Sequence, residues 1–389
     1  MKKLAVITTH PIQYNSPWFA LLNNQTQIEV KVFYTWSQSE NFVKDRTFGK
    51  EVRWDIPLLK GYDFEFVQNV SKDPGTHHRK GIYCPELIGK VRSFNPSAIL
   101  VFGWYLKSHF QIMRYFKGKI PIWFRGDSTL LDNEPYLKSF ARKLWLTWVY
   151  KNVDKAFYVG IENYKYFKYF GLDDNQLVYA PHSVDNQRFG KNEGGHYTDE
   201  ANRWRNELGL KSKDLVVLFA GKLESKKQPD FLIRSIQKAN LQRKRPLKLL
   251  VVGNGPMEKQ ILGQIESDSN LFYLEFQNQS KMPIVYRMGN IFCLPSKGPG
   301  ETWGLAVNEA MASGISAIVS NKVGCGSDLV NSDVGLMFEY DNENQLVEQL
   351  IQLELNQCKH LGDSAQQLIK NWSFQKITEA ISKEMSLLN

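Results

Sequence analysis

Twelve short, largely apolar runs alternate along this chain with stretches of helical periodicity, and each run is broken off by glycine, proline or a polar group. Six lie in the N-terminal half: Leu4–Thr9, Ile28–Trp36, Phe64–Val67, Ala98–Phe102, Ile120–Phe124 and Ala156–Val159. Six follow in the C-terminal half: Leu215–Ala220, Leu247–Val252, Leu271–Phe276, Ile291–Leu294, Ser316–Ser320 and Gly335–Phe338. Strands apolar on both faces need helices on both sides, as in parallel sheets. The alternation therefore predicts doubly wound α/β sheets, and 389 residues is too long for one ordinary core. We expect an N-terminal domain at 1–183, a C-terminal domain at 184–371 and a last amphipathic helix at 372–389. The hinge is placed in the polar, glycine-bearing segment between Pro181 and Lys213.

In open parallel sheets, ligands sit beyond the carboxyl ends of the strands. In the first half this singles out the loop carrying His10, Gln13 and Tyr14, then Trp104, then Arg125-Gly126-Asp127. His182 is a further lone histidine. A long polar and aromatic loop from Trp36 to about Gly61 has the length of a functional or mobile segment.

No uncharged apolar run approaches the ~18 residues of a membrane-spanning helix. The start, Met1 to His10, reads as a first strand rather than a secretion signal. Cys84, Cys293, Cys325 and Cys358 show no paired spacing, which suggests reduced thiols in a cytoplasmic protein and neither a zinc site nor a disulfide frame. The net charge of +9 is uneven: residues 1–183 hold 25 Lys+Arg against 16 Asp+Glu, and the remainder is balanced. A basic N-terminal half favours an anionic membrane surface, a phosphorylated acceptor or nucleic acid, and no recognition motif supports the last. One segment is both basic and aromatic: Arg142, Lys143, Trp145, Trp148, Tyr150, Lys151, Tyr164, Lys165, Tyr166, Phe167, Lys168, Tyr169 and Phe170. That composition suits a membrane interface, although aromatics at helical spacing are more often the mark of a core.

The richest stretch runs from Pro295 to Val330. A buried strand ends at Leu294, a glycine turn follows (Gly298, Pro299, Gly300), and a helix is expected from about Thr302 to Ser313 with Gly314 as its stop. A strand, a turn and a helix start make an anion site, to which the N–H groups of Trp303, Gly304 and Leu305 would contribute. Glu301 and Glu309 would stand about 12 Å apart in rise and about 80° in rotation on an ideal helix. Carboxylates repel phosphate, so each suits a pair of hydroxyls, Glu301 on a sugar and Glu309 on a ribose.

This stretch resembles the Glu-x7-Glu motif of the retaining family-4 glycosyltransferases. Three further segments resemble that family in its order: Phe219-Ala-Gly-Lys-Leu-Glu-Ser-Lys-Lys-Gln as its phosphate loop, Val251-Val-Gly-Asn-Gly-Pro256 as its glycine–proline turn, and Val323-Gly-Cys-Gly-Ser-Asp-Leu-Val330. The resemblance implies the GT-B fold, two Rossmann-like domains facing a central cleft, with the last helix crossing back onto the first. It implies a donor site of Gly221, Lys222, Lys227, Gly253, Asn254, Gly255, Pro256, Gln277, Glu301, Thr302, Trp303, Gly304, Leu305 and Glu309. Lys222 stands where the family usually has arginine, which keeps the charge and loses the bidentate fork. Gly126 takes the place of a family histidine. Acceptor-side candidates are His10, Gln13, Tyr14, Trp104, Arg125 and Asp127, and the chemistry falls to Glu301, Lys227, Asp127 and Arg125.

The implied reaction moves a sugar from a UDP- or GDP-sugar to a glycan or lipid-linked acceptor with retention, for surface polysaccharide or glycoconjugate synthesis. It would need no cofactor and no metal. The protein would be cytoplasmic, at the inner face of the cell membrane if the basic half meets lipid. A nucleotide-sugar epimerase and a non-catalytic nucleotide-sugar binder are the alternatives on the same scaffold.

Overall fold

Seven parallel strands form one sheet and six parallel strands another. In the computed structural model, which describes residues 1–25, 27–36, 54–132 and 135–388, the first sheet comprises β1 (Lys2–Thr8), β2 (Ile28–Tyr34), β3 (Asp63–Phe66), β4 (Ala98–Phe102), β5 (Ile122–Arg125), β6 (Lys155–Tyr158) and β7 (Leu177–Tyr179). Their order is β3-β2-β1-β4-β5-β6-β7. The second comprises β8 (Val216–Ala220), β9 (Lys248–Val252), β10 (Leu271–Leu274), β11 (Ile291–Leu294), β12 (Ser316–Ser320) and β13 (Gly335–Phe338), in the order β10-β9-β8-β11-β12-β13. The strand order reverses between β1 and β4 in one sheet and between β8 and β11 in the other, so each sheet has one switch point at its centre.

The chain divides into two units. The first takes the described residues up to 36, residues 57–182 and the helix Phe374–Ser386; the second takes 183–373 together with 54–56. In the first unit the period-two alternation of β1 feeds two cores. Ala5 and Ile7 face one layer, with Phe33, Val101 and Phe124. Leu4 and Val6 face the other, with Trp18, Phe19 and Leu22 of the helix Ser16–Gln25 and with Ile377, Ile381 and Met385 of the last helix. The Lys2 ammonium donates to the Met385 carbonyl at 2.9 Å and fastens β1 to that helix. In the second unit β8 is solvent-free from Val216 to Phe219.

Several local expectations change. Strand β7 was not foreseen, because only three residues pair and none is fully buried. The segment expected to be a crossing linker is folded: Asn186–Gly190 and His196–Glu207 are helical, Phe189 is buried, and Arg205 donates to the carbonyls of Met288, Lys211 and Asp214. The basic-aromatic segment splits. Tyr150, Tyr166, Phe167 and Phe170 are core, whereas Trp145, Trp148 and Tyr169 are exposed. Most of the long loop after Trp36 lies outside the described residues. All four cysteines are free and buried, and burial raises their thiol pKa values. No helix among the described residues is long and apolar enough to cross a membrane.

Candidate active site

At the switch point of the second sheet, the loops leaving β8 and β11 are stitched together. The Lys297 N–H donates to the Lys226 carbonyl at 2.9 Å. Beside this stitch Lys227 Nζ lies 2.5 Å from Glu301 Oε2, and the Ser296 hydroxyl donates to the same oxygen at 2.9 Å. Glu301 is 8 % exposed and Ser296 fully buried, so this ion pair is largely withdrawn from water. A carboxylate this buried requires a paired cation and a hydrogen bond, and it has both.

Glu301 is not on the helix. The helix runs Leu305–Ala312, and Gly304 precedes it with φ +95°, a conformation that blocks helical extension back to Thr302. The ideal-helix distance between Glu301 and Glu309 therefore does not apply. Glu309 sits in the helix, buried, and accepts from the Tyr286 hydroxyl at 2.8 Å. Trp303, also buried, donates its indole N–H to Asn308 at 2.8 Å and braces the first turn. Thr302 lies between Glu301 and this brace. The turn after β12 is laced to the same loop: Gly324 N–H donates to the Glu301 carbonyl and Cys325 N–H to that of Trp303. A Cβ on Gly324 would stand 1.8 Å from the Thr302 carbonyl oxygen, so only glycine fits.

The loop after β9 completes the floor. Leu223 N–H donates to the Asn254 carbonyl at 3.0 Å and Met257 N–H to that of Leu223 at 2.9 Å. A Cβ on Gly253 would lie 2.1 Å from the Gly221 oxygen, and one on Gly255 2.5 Å from that of Leu223. These glycines let two loops touch backbone to backbone. Asn254 is 2 % exposed, and its amide is spent on Glu258, Tyr273 and the Phe276 N–H, which fixes the loop after β10 where Gln277 stands. Pro256 is exposed beside this turn. Lys222 belongs to the same loop as Lys227, half-buried. The structure thus brings Gly221, Lys227, Gly253, Gly255, Glu301 and the start of the helix at Leu305 to one end of one sheet.

The candidates of the first unit gather at its own carboxyl edge. His10 hydrogen-bonds Thr9 at 3.0 Å and meets Trp36 edge to face. Gln13 is buried and Tyr14 half-buried in the same loop; Trp104 follows β4. Arg125, at the end of β5, donates to the carbonyls of Ala180 and Pro181 at 2.8 and 3.1 Å and so anchors the exit of β7. Burial pulls its pKa down to about 10, against the pull of Asp127. Asp127 Oδ2 stands 3.8 Å from His182 Nε2, a pairing that sequence spacing could not show. Burial depresses His182 to about 4 even so. Among the described residues one trio could hold a metal ion: Asp73, His77 and His78, on an exposed loop of the first unit.

Residues 200–372 match the family model "Glycosyl transferases group 1". A D-inositol 3-phosphate glycosyltransferase of Rhodococcus jostii is 28 % identical over 183 residues, which is 44 % of this chain and 38 % of that protein, so the match spans well under half of the relative. Among solved structures, sucrose-phosphate synthase of Thermosynechococcus elongatus superposes with a TM-score of 0.74 at 14 % identity, over 100 % of this chain and 99 % of that one. Anabaena HepE in complex with UDP and glucose gives 0.70 at 14 % identity, over 99 % and 100 %. At such identities these likenesses speak to the fold, two Rossmann-like domains of the GT-B type. Residues 200–372, which hold the Lys227–Glu301 pair and the Glu309 helix, are thus the part of the chain that is similar to the group 1 glycosyl transferases.

Proposed function

We propose that the second unit binds a nucleotide-diphosphate sugar, UDP- or GDP-linked, and that the protein transfers the sugar to a glycan or lipid-linked acceptor with retention and without a metal. The observation that carries this is the Lys227–Glu301 pair at the switch point of the second sheet, where parallel sheets place their ligands. Cleaving a sugar from a diphosphate builds negative charge on the leaving oxygens. An ammonium aimed at those oxygens in a site largely screened from water lowers that barrier. On this reading Lys227 turns from Glu301 to the diphosphate, aided by N–H groups at the start of the helix Leu305–Ala312. The released Glu301 carboxylate accepts hydroxyls of the donor sugar, steadied by Ser296. Glu309, held by Tyr286, takes the ribose hydroxyls. Acceptor contacts are assigned to the loops of His10, Gln13, Tyr14, Trp104 and Asp127, with Arg125 positioning the backbone beside them. The enzyme would work in the cytoplasm at the inner face of the membrane, in surface polysaccharide or glycoconjugate synthesis.

A thermal-shift panel of UDP, GDP, ADP and their sugars on wild type and Glu309→Ala tests the donor site. A ligand at a hundred times its Kd stabilises by about 2.7 kcal/mol. One nucleotide should raise the wild-type Tm and leave the variant unmoved. No shift with any nucleotide, or an equal shift in both proteins, overturns the assignment.

A further inference from the structure

The helix Tyr136–Tyr150 has an apolar face that the described residues of its own unit do not cover. Leu137 is 81 % exposed, Leu144 60 % and Phe140 55 %, and Trp145 and Trp148 are also exposed. Residues 137, 140, 144 and 148 follow the three-and-four spacing of a single helical stripe. Among residues 137–150, the buried side chains are those of Leu146, Val149 and Tyr150, at the C-terminal end of the helix. Beside the stripe, Phe140, Leu144, Thr147, Trp148, Lys151 and Tyr169 line an open groove of about 550 Å³. A large uncovered apolar patch on a folded unit marks a surface that something else covers.

The charges around the stripe say what that is. From Leu137 to Lys151 the chain carries Lys138, Arg142, Lys143 and Lys151 and no acidic residue. Arg79 from a neighbouring turn stacks on Trp145 at 5.5 Å, Arg114 on Trp148 at 5.6 Å, and Lys143 sits 4.3 Å over Tyr169. Cations therefore rim every exposed indole. A second copy of this chain, docking by a two-fold axis, would set these cations against themselves. A neutral apolar partner would leave them desolvated and unpaired. An anionic lipid surface satisfies both parts: leucine, phenylalanine and tryptophan enter at headgroup depth, while lysine and arginine meet the phosphates.

We propose that the stripe of Leu137, Phe140, Leu144, Trp145 and Trp148, with its rim of Lys138, Lys143, Arg79 and Arg114, docks the first unit onto an anionic phospholipid bilayer. This gives the membrane placement suggested above its residues, and it stands whether or not the second unit transfers a sugar. The test is vesicle co-sedimentation of the full chain with phosphatidylcholine alone and with phosphatidylcholine carrying phosphatidylglycerol. Wild type should bind the anionic vesicles at least tenfold more strongly than the neutral ones. Leu137→Glu/Leu144→Glu should lose at least tenfold on anionic vesicles, and Lys138→Gln/Lys143→Gln should lose the preference for them. Unchanged melting of the variants and an unchanged nucleotide shift would show that fold and donor site survive. The idea is overturned if wild type ignores anionic vesicles, or if both variants bind them as wild type does. It is equally overturned if wild type sediments as a dimer that the glutamate pair dissolves while vesicle binding is absent.

Discussion

Replacing Lys227 by methionine removes one partner of a buried ion pair and leaves the other in place. Among the described residues Glu301 would keep the Ser296 hydroxyl as its one side-chain partner, at 8 % exposure. Breaking a buried pair from one side costs about 3–5 kcal/mol, mostly the penalty of the orphaned charge. Lys227 itself is 17 % exposed, so water reaches its side of the pair and the low end, about 3 kcal/mol, applies. For a unit of about 190 residues, each kcal/mol moves Tm by about 2–4 °C, so Lys227→Met should lower the melting of the second unit by about 6–12 °C. Lys227→Met/Glu301→Gln removes the charge as well as its partner, and the glutamine oxygen can still accept from Ser296. It should recover at least half of the loss, because replacing both members of a buried pair costs far less than removing one. Differential scanning calorimetry of the two variants and wild type gives the coupling directly. A double variant no more stable than Lys227→Met, or a single variant melting with wild type, would refute the argument that this is a buried, mutually dependent pair.

Two further outcomes follow from the geometry. Gly324→Ala should destabilise by about 3 kcal/mol or more, since its Cβ would meet a carbonyl oxygen that no side-chain movement can clear; calorimetry measures the loss, and melting within about 1 °C of wild type would sink the reading. His109 is sealed between Thr35 and the Phe102 carbonyl, and burial lowers its pKa to about 4. The unfolded chain takes up this proton near pH 6.5, so stability present above that value is lost as pH falls towards 4, by roughly 3 kcal/mol at most. His109→Gln should flatten the acid limb of a urea-denaturation series, and an unchanged slope would count against it.

The fold class was legible because strands covered on both faces are written as unbroken apolar runs, β8 and β11 most plainly. β7 was not, since Leu177 and Val178 are only half-buried, Tyr179 is exposed, and its place is set by β6 beside it. The start of the helix at Leu305 was not legible, because Gly304 adopts a left-handed conformation at a place where a Cβ would meet Val323 and Leu294, and sequence spacing encodes neither. Within the candidate site, Glu301 and Glu309 stood out by spacing, whereas Ser296 and Tyr286, which hold them, did not. Nor did the partnership of Asp127 with His182, 55 residues apart in sequence. Lysines, tryptophans and leucines of the helix Tyr136–Tyr150 read alike as core or surface until the neighbouring elements show which face is left over.

The two units differ in how the chain supplies them. The second is drawn almost entirely from one continuous stretch, 183–373, whereas the first borrows its last helix from the far end. During synthesis the second unit has all its strands before Ile377, Ile381 and Met385 exist to cover the Trp18 layer of the first. Domains fold as units as they emerge, and the N-terminal one usually leads. Here the order is inverted: the half made first is the half finished last, and its Trp18 face waits, uncovered, through the making of some two hundred residues.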